Sequence, residues 1–216
     1  MHGTRSAQTS EPADGQHADG LLDLPDAAPF QLKAPWDKPG TLYFWSGPYS
    51  SFAVIRQGIT LPAGYLGHEH GEMCTAYSRK SYFQACKAQD RDTFLEILGA
   101  RPVVAKELGG RNGIVQLRED WDRIRYAVML TFNRVQWRLD GWRELLMMTG
   151  QQTLAELSPY DAEWGCKDRR SGRYVGRNLL GICHMHVRNE LRQEIDHRFA
   201  GHRPFLRTQA QVLAHD

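Results

Sequence analysis

Ser158-Pro159-Tyr160-Asp161-Ala162-Glu163-Trp164-Gly165 is followed closely by Gly176-Arg177-Asn178-Leu179-Leu180-Gly181. Pro159 and Gly165 bound a segment too rich in turn formers to continue a helix or a strand. Inside it one carboxylate, Asp161, lies between two large aromatics, Tyr160 and Trp164. Beyond it, Asn178 sits between two glycines and opens a long helical pattern over 177–199. Leu180, Cys183, Val187, Leu191 and Ile195 fall on one stripe of that helix. A core segment needs no acid flanked by rings on an exposed turn, so this stretch carries the candidate chemistry. The chain around it must supply a scaffold.

Working outward, the preceding elements are short. Gln151–Leu157 predicts a strand. Asp120–Met148 carries the strongest helical period, through Trp121, Ile124, Val128, Phe132, Val135, Leu139 and Trp142, broken at Asp140-Gly141. Short helices are predicted over Pro102–Leu108, Arg91–Ala100 and Ser78–Gln89, the last with Tyr82, Phe83 and Cys86 inward and Gln84 and Lys87 off that face. Thr41–Trp45 reads as a strand, Ser50–Ile55 as a loop, and Gly58–Leu61 as a second strand. Gly109–Gly113 is a glycine-rich turn without the Gly-Lys-Ser/Thr ending of a phosphate loop. The expectation is one compact, mostly helical α+β domain over 40–200 with a few short strands. It follows a tail at 1–39 that is poor in large apolar residues and, toward its end, rich in proline, and it precedes a polar extension at 201–216.

Composition narrows the function. The chain has 216 residues and a formal charge of only +2, so no strong basic field argues for a nucleic-acid surface. No apolar run approaches the ~20 residues of a membrane span, and the first residues lack the apolar stretch of a signal peptide. Four widely spaced cysteines, 74, 86, 166 and 183, suit reduced thiols, and a cytoplasmic location is expected. If 68–74 were a strand, His68, His70, Glu72 and Cys74 would share a face able to hold zinc. Gly67 and Gly71 favour a polar loop instead, and no metal or cofactor is expected.

Several motifs, in order, carry a resemblance. Gly47-Pro48-Tyr49-Ser50-Ser51-Phe52, Tyr82-Phe83-Gln84-Ala85-Cys86-Lys87-Ala88, Trp121 to Met129, Leu145 to Gly150, the Ser-Pro-Tyr-Asp stretch and Gly176 to Arg188 together resemble the NADAR, or YbiA-like, family over about residues 42–192. The resemblance implies a YbiA-like fold and a pocket for a nucleotide-like small molecule. It further implies hydrolysis of the N-glycosidic bond of a ribosylated heterocycle, such as an aminopyrimidine ribosyl phosphate of riboflavin synthesis. Removal of ADP-ribose from guanine in nucleic acid is the second activity implied, and binding without turnover is the third reading. Two positions depart from the family: Lys80 stands where it usually has Glu, and Ser51 where it tends to have Asn.

Cleaving a C–N bond at an anomeric carbon builds positive charge on the sugar, which a fixed carboxylate stabilises. Asp161 is the first candidate, with Glu72, just upstream of the helix bearing Lys80, as a replacement acid. Tyr160 or Lys80 would assist the departing base, Trp164 would stack on it, and Asn178 would hydrogen-bond a base edge or ribose. Ser51 and Phe52 would border the substrate, Gln84 lies on the neighbouring helix, and Lys87, Arg177 or Lys80 would hold phosphate. Structural roles stay open beside these: Asp161 as a turn former, Trp164 as core, and Asn178 as a helix cap.

Overall fold

The computed structural model describes residues 40–168 and 174–200. The expected tail at 1–39, the extension at 201–216 and turn residues 169–173 lie outside the described residues. In chain order the elements are β1 (Thr41–Phe44), a 3-10 turn (Gly47–Tyr49), β2 (Val54–Pro62), β3 (Met73–Ser78) and α1 (Arg79–Ala85). There follow α2 (Arg91–Gly99), α3 (Pro102–Leu108), α4 (Trp121–Gln136) and α5 (Trp142–Met148). The described chain ends with β4 (Thr153–Glu156), β5 (Lys167–Asp168), β6 (Tyr174–Val175) and α6 (Leu179–Ala200). This is the α+β, mostly helical architecture expected of a YbiA-like domain.

The pairing that organises the molecule is long-range. β1 and β4 run parallel, with Thr41 opposite Thr153 and Phe44 opposite Glu156. Parallel partners need a crossover connection, and here everything between them serves as one. β2 and β3 form an antiparallel ribbon, and β5 and β6 a minimal one. α6 packs on β4 at Gly181, where a Cβ would come within 2.1 Å of the Leu154 carbonyl oxygen. Only glycine permits that approach.

Two expectations are corrected. The helix predicted to Gln89 stops at Ala85. Past it, the Lys87 carbonyl accepts from Arg118 N, the Ala88 carbonyl accepts from Leu66 N, and Ala88 bridges to Leu117. Those backbone groups are satisfied across the chain, so no further helical turn forms. The polar loop expected over 68–74 is shorter, because β3 (Met73–Ser78) begins at Met73. Its Ala76 and Ser78 face inward while Thr75 and Tyr77 face out, the period-two alternation of a half-buried strand. His68, His70 and Glu72 precede that strand in a turn closed by Glu72 N donating to the Glu69 carbonyl. They therefore do not share a strand face with Cys74. Among the described residues, no group of His, Cys, Asp and Glu is arranged to hold a metal.

The core joins α1, α2, α4, α6 and the strand pairs through Tyr82, Phe94, Val128, Phe132, Leu154 and Val187. Buried charged side chains adjoin it, Arg79 among them. Arg79 donates to the carbonyls of Pro48 (2.8 Å) and Tyr49 (2.7 Å) and to Gln136 Oε1 (2.7 Å). Burial lowers its guanidinium to about 9, which still leaves it charged at neutral pH. His184 beside it is buried and neutral: desolvation and the Arg79 charge hold its pKa well below the usual value. Its Nδ1 accepts from Trp137 Nε1 (3.0 Å), so Nε2 carries the proton and donates to the Tyr49 carbonyl (2.8 Å). The 3-10 turn is thus gripped from behind by two buried donors.

Candidate functional site

In front of that turn opens a cavity of about 730 Å³, within the usual range of small-molecule sites. Each wall traces to a local cause. α1 starts at a capped turn, where the Ser78 hydroxyl accepts from Ser81 N (3.0 Å). The next backbone amide, Lys80 N, donates to the Ser51 carbonyl (2.8 Å) and ties the 50–53 loop to the helix start. That contact places Ser51 and Phe52 on the rim and Lys80 in the wall. Phe83, Met129 and Leu180, from α1, α4 and α6, line the apolar part. Trp164 and Trp121 each meet the Phe83 ring edge-on, with centroids 4.9 Å away, a favourable aromatic geometry.

The acidic side comes from β4 and the loop after it. Glu156 is the last residue of β4, and its side chain lines the cavity. Asn178 fixes that strand end: its Oδ1 accepts from Glu156 N (3.0 Å) and its Nδ2 donates to the Leu154 carbonyl (2.8 Å). Asn178 does this at φ 52°, a left-handed conformation that Asn tolerates better than most residues. Asp161 Oδ1 accepts from the backbone amides of Glu163 and Trp164, both at 2.9 Å. Asp161 therefore shapes its turn and lines the cavity as well. Glu163 points elsewhere, pairing with Arg125 (2.7 Å) and Arg177 (3.0 Å) as a strut behind the loop.

Electrostatics make the two acids unequal. Burial raises Glu156 to about 7, against the pull of the Lys80 charge, with the Asp161 carboxylate adding to the rise. At neutral pH a large share of Glu156 is a protonated acid able to donate. Burial pushes the Lys80 ammonium below its ordinary value, Glu156 opposes that, and the nearby Lys106 charge adds to it. Both lysines lie over the Phe52 ring, Lys80 Nζ at 4.9 Å and Lys106 Nζ at 5.8 Å from its centroid. Lys106 stands on α3 at the outer side of the cavity beside Val103.

Of the residues singled out from sequence, Asp161, Trp164, Tyr160, Lys80, Ser51 and Phe52 line this one cavity. Tyr160 is 87% exposed, at the rim. Four do not line it. Glu72 is held by the Tyr65 hydroxyl (2.5 Å) and Arg91 (3.1 Å) on the β2–β3 loop, so it is not a replacement acid for this cavity. Asn178 is wholly buried and positions Glu156 rather than meeting a ligand. Gln84 is buried against Gly109. Lys87 turns away and donates to the Gly109 carbonyl (2.7 Å). Sequence reasoning missed Glu156, Lys106 and Trp45. For Glu156 a signal existed: it is the charged last residue of Thr153-Leu154-Ala155-Glu156, directly before the Ser-Pro-Tyr-Asp loop.

Known proteins resemble the chain over its central part. The NADAR domain profile matches residues 43–192. The N-glycosidase Npun_R5314 of Nostoc punctiforme is 38% identical over 162 residues, covering 70% of this chain and 93% of that protein. The N-glycosidase YbiA of Escherichia coli is 33% identical over 112 residues, covering 51% of this chain and 67% of that protein. The solution NMR structure of Escherichia coli YbiA superposes with a TM-score of 0.56 at 28% identity, covering 73% of this chain and 88% of that one.

Proposed function

The chain belongs to the NADAR family, and from that premise we propose that it is an N-glycosidase whose substrate is a ribosylated heterocycle bearing a phosphate, of the aminopyrimidine ribosyl phosphate kind. The observation that carries this reading is the pairing of Glu156 and Asp161 in one aromatic-floored cavity. Trp164 offers a face or edge to the flat base, and stacking of this kind is worth about 1–3 kcal/mol per base. Glu156, in its protonated form, gives its proton to the departing base nitrogen as a general acid. Asp161 stands by the anomeric carbon and offsets the positive charge that grows as the C–N bond lengthens. Lys106, at the outer side, is suited to the phosphate. Among the described residues no helix is long and apolar enough to cross a membrane, which fits a substrate taken from solution.

A second reading, removal of ADP-ribose from guanine, is favoured by one feature. A shallower groove of about 400 Å³ adjoins the cavity and shares Ser46, Ser50 and Phe52 with it, giving a longer ligand room to extend. One assay separates the readings. The protein is incubated with a panel holding an aminopyrimidine ribosyl 5′-phosphate, ordinary nucleoside monophosphates and ADP-ribosylated guanine, and products are followed by mass spectrometry. Release of free aminopyrimidine and ribose phosphate is expected. Cleavage of ADP-ribosylated guanine alone selects the second reading. Binding without turnover of any member refutes both.

A further inference from the structure

The Glu156–Asp161 pairing leaves one cavity side chain without a role. Lys80 lines the same cavity as the two carboxylates and interacts electrostatically with both. Its neighbour Arg79 carries the structural ties at the start of α1. Among the described residues, the Lys80 side chain makes no ion pair, and its recorded contact is the Phe52 face. Such a cation has two ordinary uses, and the surroundings disfavour each. As a phosphate anchor it would draw a dianion against Glu156 and Asp161, whereas Lys106 lies farther out. As a fixed ammonium beside the anomeric carbon it would repel the sugar cation. A lysine that lines a cavity, makes no ion pair and has its ammonium disfavoured by burial has a third use, as an imine-forming nucleophile.

Building on the N-glycosidase reading, we propose that Lys80 is the nucleophile of the reaction, attacking the anomeric carbon and carrying the sugar as an imine before water releases it. The atoms balance without an oxidant or reductant. The Nζ lone pair bonds to C1′ as the C1′–N bond to the base breaks, and the base nitrogen takes the Glu156 proton. The new secondary ammonium returns one proton to Glu156. The remaining Nζ lone pair then forms the C=N bond while C1′–O4′ opens, and O4′ takes that proton. Water adds to C1′, Glu156 recovers a proton, and Lys80 leaves as an amine. The sum is substrate plus water giving base plus ribose phosphate. In this scheme Asp161 faces the positive iminium, and Glu156 shuttles the protons. The substitution of lysine for the family's usual glutamate at this position would then mark a change of route rather than a loss of activity.

Borohydride trapping tests this on the intact protein. The full chain is incubated with an aminopyrimidine ribosyl 5′-phosphate with and without sodium borohydride, and turnover is followed in parallel. Expected are borohydride-dependent inactivation and an adduct of reduced pentose phosphate on the peptide containing Lys80. K80R supplies a fixed positive charge but no imine-forming amine. It and K80Q should lose both adduct and turnover, while K106A should keep the Lys80 adduct with a raised KM. Wild-type turnover without an adduct, an adduct on another lysine, or K80R turnover within a few-fold of wild type overturns the proposal and leaves the N-glycosidase reading standing. No turnover of any ribosyl substrate by the wild type overturns that reading and this proposal with it.

Discussion

Replacing Glu156 with glutamine should change how the stability of the protein depends on pH. Burial lifts this acid from an ordinary 4.5 to about 7 in the folded protein. Below 4.5 both folded and unfolded chains hold the proton, and the group contributes nothing to the pH dependence. Between 4.5 and about 7 only the unfolded chain releases it, so the native state loses stability as pH rises. This is opposite in direction to the usual salt-bridged carboxylate, whose native pKa is depressed. At about 1.4 kcal/mol per pH unit, the window corresponds to about 3 kcal/mol. E156Q keeps the shape and removes the titration. The stability of wild type minus that of E156Q should therefore fall by about 3 kcal/mol between pH 4 and pH 8. Urea unfolding of both proteins, at fixed ionic strength across that range, measures it, since titrations of groups remote from Glu156 cancel in the difference. Parallel curves, or a difference that rises with pH, would refute the claim that Glu156 is a buried, proton-holding acid. The same substitution should lower turnover by about 100- to 10,000-fold, the usual contribution of a general acid.

The remaining predictions concern neighbouring positions. D161N should abolish turnover while keeping its oxygen for the Glu163 and Trp164 amides, whereas D161A should also lose about 1–2 kcal/mol of stability, as for a lost cap; equal stability of the two in thermal melts would contradict the turn role. E72Q, which weakens the Arg91 pair, should leave kcat/KM within a few-fold of wild type, and a large drop would restore Glu72 as a catalytic acid. G181A places a Cβ 2.1 Å from the Leu154 oxygen and 2.6 Å from the Asn178 side chain. It should destabilise by at least about 3 kcal/mol, within the upper range of single substitutions, and a normal melting temperature would show that α6 and β4 part easily.

How much of this was legible in the chain divides by range of interaction. Element types read well where local period dominates: α2, α3, the α4–α5 break at Gly141 and the start of α6 all follow from spacing and punctuation. α1 was overextended, because its end is set by bonds from Leu66 and Arg118, remote in sequence. β3 has no counterpart in the sequence pattern, since Ala76 and Ser78 are small and give a weak apolar alternation. The same division governs the site. Asp161 and Trp164 share a turn and could be grouped from sequence. Glu156 has its pKa raised by burial against the pull of Lys80 and Arg79 on α1, an arrangement that only the tertiary fold brings about. Asn178 illustrates the opposite error. Its place in a recognisable motif suggested ligand contact, and its work is to clamp the strand that ends in the acid.

The parallel seam has a consequence during synthesis. Thr41 waits for Thr153, which follows it by 112 residues (153 − 41). At about 5–20 residues per second, the first strand stands without its partner for roughly 6–20 s on the ribosome. By the end of that interval the nascent chain holds Lys80 but no Glu156, Asp161 or Trp164. The acidic half of the cavity arrives late and is set in place by the pairing of β1 with β4, so a half-made polypeptide carries only part of the cavity lining.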